Sequence, residues 1–202
     1  MRRRSLTFVL TGALALGLTA CGGDDTNTTS STSGTSGTAA GEKPYIAIVS
    51  KGFQHQFWQA VKKGAEDEAA KEGATITFEG PATEKEVEAQ VTMLTNAMAK
   101  KPKAIGFAAL DTKAALQQLQ QAQSQNIPVI AFDSGVESDI PKTTCATDSK
   151  AAAGEAAKHM SELLGGKGKV GVIVHDLTSQ TGKDRQDGFV EWMKANAPGI
   201  EV

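Results

Sequence analysis

Tyr45-Ile-Ala-Ile-Val49, followed at once by Ser50-Lys-Gly-Phe-Gln-His-Gln-Phe-Trp58, decides the fold class of this 202-residue chain. The first five residues are apolar without alternation, the pattern of a strand covered on both faces. Beyond the junction Phe57, Val61, Ala65 and Ala69 recur every fourth residue, with Lys62, Lys63, Glu66, Asp67 and Lys71 facing elsewhere. That spacing predicts a helix with one buried stripe. The carboxyl end of a parallel strand is where open α/β sheets bind ligands. His55, Phe57 and Trp58 fall there, and packing of the first helical turn or a ligand-binding wall are equal readings of the two aromatics.

Working outward, short apolar runs alternate with helical patterns. Strands are expected at Tyr45–Val49, Ala74–Phe78, Ala104–Ala109, Val129–Phe132 and Val170–Val174. Thr83–Met98 reads as a helix opened by a capping box, Thr83 with Glu86, and carries Val87, Val91, Leu94 and Met98 on one face. Asp111 is the expected N-cap of the next helix, whose inward residues are Ala115, Leu116, Leu119 and Ala122. The order predicts an α/β fold, a doubly wound parallel sheet with right-handed crossovers. A helix from Ser149 to Leu164, stopped by Gly165-Gly166, then opens a second group of elements. Residues 43–147 form one expected lobe and 148–202 the crossing and start of a second. The chain is therefore read as a fragment, or a truncated reading frame, of a two-lobed protein, and residues 43–202 alone are expected to be unstable or aggregation-prone.

The first twenty residues read as an export leader: Arg2-Arg3-Arg4, then an apolar stretch from Leu6 to Leu18 too short to span a bilayer comfortably. Leu18-Thr-Ala-Cys21-Gly22 looks like a bacterial lipobox, in which the cysteine carries acyl chains. The expected location is the outer face of the cytoplasmic membrane, held by that anchor alone. Of the twenty residues Gly22–Gly41, fifteen are Ser, Thr or Gly, which makes residues 21–42 a flexible tether. Without the leader, 18 basic face 23 acidic side chains, a balance of −5 that argues against a nucleic-acid partner. Cys145 is the only cysteine besides Cys21, and an unpaired thiol of this kind is expected to be buried and inert.

The strand ends collect a particular chemistry: His55, Phe57 and Trp58 after the first, Leu110-Asp111 after the third, Asp133-Ser134 after the fourth. His175-Asp176 and then Lys183-Asp184-Arg185 follow the last. Carboxylates accept from hydroxyls, a guanidinium donates a fixed fork, and flat rings take the C–H faces of a sugar. Each residue also has a plainer reading, with Asp133 as a turn-former and Arg185 as a surface position. No dinucleotide fingerprint, phosphate loop or metal-ligand spacing is present, so no catalytic set, cofactor or metal is expected.

Ile46–Gly73, Ile127-Pro-Val-Ile-Ala-Phe-Asp133, Thr147-Asp148 and Thr181-Gly-Lys-Asp-Arg-Gln-Asp-Gly-Phe189 together resemble the ribose-type periplasmic sugar-binding proteins. These are substrate-binding components of ATP-driven importers, two α/β lobes closing over one monosaccharide about a three-stranded hinge. The resemblance implies that Phe57 and Trp58 stack on the sugar and that His55, Asp133, Ser134 and Arg185 bind its hydroxyls. It places the first hinge crossing at Asp148. The implied partners are a monosaccharide or polyol and, indirectly, an ABC permease with its ATPase; a monomer is expected. His55-Gln-Phe-Trp58 and Asp133-Ser134 depart from the ribose pattern, which leaves a pyranose or polyol as open as ribose. A receptor of the same fold serving chemotaxis or a sensor kinase is the alternative.

Overall fold

The computed structural model describes residues 43–202; the expected leader, Cys21 and the whole of the tether lie outside the described residues. Five parallel strands form one sheet: β1 (Tyr45–Val49), β2 (Thr75–Glu79), β3 (Ala104–Phe107), β4 (Val129–Phe132) and β5 (Thr144–Cys145). They lie in the order β2-β1-β3-β4-β5. The helices α1 (Gln56–Lys71), α2 (Val87–Ala99) and α3 (Leu116–Ser124) connect them, so the fold is α/β and doubly wound. The strand order reverses between β1 and β3, which makes their carboxyl ends the crevice of the sheet.

The two faces of the sheet are covered unequally. Ala47, Val49, Ile105, Phe107 and Val129 are buried against Leu94, Ala97 and Met98 of α2 and Leu119 and Ala122 of α3. On the other face Ile46, Ile48 and Phe132 are only half-buried and Ile130 is exposed. A groove of about 560 Å³ runs there between Val61 and Ala65 of α1 and Ile48, Gly106 and Phe132 of the sheet. The α1 stripe is accordingly half-buried rather than buried, and Phe57 at its first turn is exposed.

Several expected boundaries move for local reasons. The capping box does not form: Thr83 donates to the Glu86 carboxylate at 3.0 Å, the two capping side chains bond each other, and α2 begins at Val87. Asp111 accepts from Lys113 and Ala114 N–H at 2.8 and 2.9 Å, capping a turn, and α3 begins five residues later. Cys145, expected to be buried, is exposed because β5 is a two-residue edge strand paired on one side only.

The second group comprises α4 (Ser149–Leu163), β6 (Gly168–Lys169), α5 (Gln180–Asn196) and β7 (Ile200–Glu201). Asp148 caps α4, accepting from Ala151 N–H, and Ser179 caps α5, accepting from Gly182 N–H. The α4 stop is a Schellman turn: Gly165 has φ +62°, and Gly166 N–H reaches the Ser161 carbonyl at 2.9 Å. The helices pack through Ala157, Met193 and Ala197, closely enough that a β-carbon on Gly188 would run into the Lys150 carbonyl. The strand expected at Val170–Val174 is absent. Only Gly168–Lys169 is paired, with β7, and Ile173 is 100% exposed. Val170 N–H still reaches the Glu201 carbonyl at 2.8 Å, but beyond it no strand among the described residues pairs with the run, and backbone groups without a partner are left to water, so nothing fixes residues 171–174 as a strand.

Candidate functional site

The carboxyl ends of β1 and β3 are tied together by one buried side chain. Gln90 of α2 donates to the Ser50 and Ala108 carbonyls at 2.9 and 2.8 Å and accepts from Leu110 N–H at 3.0 Å. Nothing in the periodicity of α2 marks this glutamine, yet all its amide positions used here are satisfied and it fixes the rim of the crevice.

At that rim lies a cavity of about 240 Å³ lined by Lys51, His55, Phe57, Trp58, Glu84, Asp133, His175 and Arg185. A second cavity of about 550 Å³ shares Phe57, Asp133, His175 and Arg185 with it and extends toward Thr147, Thr181 and Phe189. Of the six residues expected to bind ligand, five line the smaller cavity. Ser134 does not: it is fully buried with its hydroxyl unpartnered, because the turn after Phe132 directs it inward. Asp148 sits where the chain passes from β5 to α4 and lines neither cavity.

His55 caps α1, its Nδ1 accepting from Phe57 N–H at 3.1 Å, which leaves Nε2 for the proton in the neutral ring. Phe57 is 47% exposed and offers an open ring face. Trp58 is only 2% exposed. It meets Phe57 and Phe132 edge-on, with ring centroids 4.8 and 6.3 Å apart, and its Nε1 donates to Glu84 Oε1 at 2.8 Å. Phe57 is thus the available stacking surface, and Trp58 is the wall that holds it.

The charged floor was not foreseen. Lys51 is 3% exposed and donates to Thr181 Oγ1 at 3.1 Å, with Glu84 at 3.7 Å and Asp133 at 3.6 Å. His175 Nε2 lies 3.2 Å from Glu84 Oε2, the oxygen that Lys51 also faces, while Trp58 holds Oε1. Burial works to raise Glu84, but the Trp58 hydrogen bond, the Lys51 charge and His175 outweigh it and hold the carboxyl below its ordinary range. Burial raises Asp133, aided by Glu84, while Lys51 and Arg185 only partly offset it. Asp133 also has a left-handed φ of +57°, a conformation that Asp tolerates better than most residues and that turns the chain at the end of β4. Lys51 and Glu84 could have been found: Lys51 is in the opening junction, and Glu84 follows the end of β2.

The arrangement presents hydroxyl acceptors at Asp133 and Glu84, a fixed donor fork at Arg185 and an apolar ring face at Phe57. Among the described residues no cluster of His, Cys, Asp or Glu is placed to hold a metal ion.

Comparison with known proteins bears on this site. A family model for the periplasmic binding protein domain matches residues 46–202. The D-allose-binding periplasmic protein of Escherichia coli (strain K12) is 27% identical over 156 residues, covering 73% of this chain and 50% of that protein. The chain thus spans about half the length of this curated relative. A carbohydrate transporter solute binding protein from Agrobacterium radiobacter, in complex with D-arabinose, superposes with TM-score 0.75 at 27% identity, covering 79% of this chain and 56% of the other. An ABC transporter solute binding protein from Agrobacterium vitis with bound D-fucose gives TM-score 0.75 at 36% identity, covering 78% and 56%.

Proposed function

The chain belongs to the periplasmic binding protein domain family, and on that premise we propose that it captures a neutral monosaccharide or related polyol in the cavity between its two groups of elements. The observation that carries this reading is the convergence of Phe57, Trp58 and Asp133 from the first group with Arg185 from the second on one cavity. The sugar's C–H face lies on the Phe57 ring, Asp133 accepts from its hydroxyls, and Arg185 donates from the opposite side. His55 and Glu84 supply the remaining polar edge. The sugar-bound relatives support the ligand class.

The same proposal extends to location and partner. The lipid on Cys21 holds the chain at the outer face of the cytoplasmic membrane, residues 21–42 form the leash, and closure about Asp148 presents a sugar-loaded surface to an ABC permease. A thermal-shift screen of the full chain against neutral pentoses, hexoses and polyols tests the ligand class. At least one member raises the unfolding temperature in the wild type and does so far less in Arg185→Ala; no shift with any member defeats the reading. For the anchor, Cys21→Ser is expected to move the chain from the membrane fraction to the soluble one.

A further inference from the structure

The Lys51 ammonium stands on the cavity floor at 3% exposed, a costly place for a charge that sugar capture as described does not use. Lys51 follows β1. Glu84 follows β2, the neighbour of β1 on one side, and Asp133 follows β4, which lies on the other side beyond β3. The lysine chain therefore reaches across the strand ends and sets its Nζ between the two carboxylates, 3.7 Å from Glu84 and 3.6 Å from Asp133. Both relations are internal to the first group, so neither depends on whether the second group has closed on a ligand. The two carboxylates differ in their other partners. Glu84 also has Trp58 Nε1 at 2.8 Å and His175 Nε2 at 3.2 Å. For Asp133, Lys51 is the only cation within 4 Å among the described residues. At 3.6 Å the ammonium compensates the Asp133 charge but is too far away for a hydrogen bond, so it does not use up the acceptor positions that a ligand's hydroxyls need.

We propose that Lys51 is a positioning residue for sugar capture, whose buried ammonium keeps Asp133 a charged, open acceptor in the cavity. Its hydrogen bond to Thr181 Oγ1 at 3.1 Å comes from the second group and is not needed for this role. An opposite charge within about 4–6 Å favours the ionised form of a carboxyl. Burial is the largest influence on Asp133 and raises it; Lys51, ahead of Arg185, opposes the rise, and Glu84 adds to it. The titratable and charged groups that share the cavity with Asp133 are Lys51, His55, Glu84, His175 and Arg185. Of the lysine and the arginine, only Lys51 is buried; Arg185 is exposed, where water and salt screen it.

The capture role rests on the proposed sugar reading; the effect of Lys51 on Asp133 does not. The test is a carbon-13 NMR titration of side-chain carboxyls in the full chain without sugar, with the Asp133 signal assigned by its loss in Asp133→Asn. Lys51→Gln keeps a donor but not the charge, and is expected to move the Asp133 midpoint up by about 1–3 pH units; Lys51→Arg keeps the charge and the wild-type midpoint. The pH below which the best sugar's affinity declines is expected to rise by the same interval in Lys51→Gln, with affinity recovering above it, and to stay in place in Lys51→Arg. A merely structural lysine would lower stability at every pH and leave both midpoints alone. An Asp133 midpoint unmoved in Lys51→Gln overturns the proposal. A moved midpoint with an unmoved affinity profile removes the capture role. A wild type that binds no sugar while the Asp133 midpoint still moves leaves the charge relation standing and defeats the sugar reading. If Lys51→Gln does not fold, adding Asp133→Asn is expected to restore folding, because no Asp133 charge is then buried without its cation; a double variant that stays unfolded also overturns the proposal.

Discussion

Tyr45–Val49 and Val170–Val174 read alike as buried apolar runs, and they end up in opposite states. The first is β1, bonded to β2 on one side and β3 on the other, with Ala47 and Val49 under 2% exposed. The second is not a strand, and its Ile173 is wholly exposed. An apolar run becomes a strand only where neighbours take up its backbone bonds and an apolar layer covers it. The difference continues into the residues that follow each run. Lys51 and Trp58 after β1 are buried and hydrogen-bonded, whereas the His175 side chain after Val174 is 54% exposed.

The strongest way to break this comparison is to cut a large side chain from each region. Trp58→Ala removes a buried ring and the donor to Glu84, and is expected to destabilise the chain by about 3–5 kcal/mol in urea unfolding. Ile173→Ala is expected to stay within about 0.5 kcal/mol. Equal effects would mean that Val170–Val174 is supported after all. Next in size are the two charged groups that face the cavity from the two regions. Asp133→Asn and Arg185→Ala each remove a charged hydrogen-bonding partner, and sugar affinity is expected to fall about tenfold to a hundredfold in each. A loss confined to Asp133→Asn would show that only the supported region binds.

Acidification separates fold from site. Asp133 has a raised folded value, so it takes up its proton above the ordinary aspartate range. As pH falls through that value the charged hydroxyl acceptor becomes a neutral acid and its charge-assisted bonds weaken, while this group by itself favours the folded state. Glu84 has a lowered folded value, so its contribution is full above the ordinary glutamate range and is lost only as pH falls through the lowered value. Sugar affinity is therefore expected to decline at a pH where circular dichroism still shows the folded chain. The smallest effect belongs to Ser134, whose hydroxyl is buried and unpartnered. Ser134→Ala is expected to leave affinity unchanged and stability equal or about 1 kcal/mol higher.

The first half of the fold was legible because its signals are local. The runs at Tyr45–Val49 and Val129–Phe132 match the observed strands residue for residue, and the apolar spacing of Leu94, Leu119 and Ala122 picks the face that packs on the sheet. Caps were less legible, since Thr83 and Asp111 have more than one nearby partner and a turn satisfied them before a helix did. Of the site, the aromatics and Asp133 could be read because each ends a strand. Lys51, Glu84 and Thr181 could not be paired from the sequence, because they lie on three separate segments that meet only in the folded chain. Ser134 was misread for a related reason: in a strand-end turn, adjacent residues point to different places, and only Asp133 faces the cavity.

The central claim is that the rim of β1, with Asp133 and Arg185, forms a sugar site. Isothermal titration of the full chain with neutral pentoses, hexoses and polyols tests it most directly, run beside a Phe57→Ala, Arg185→Ala double variant. One-site binding to at least one of these ligands in the wild type, abolished in the variant, is the predicted result. No binding heat with any of them, or equal binding by the variant, would contradict it.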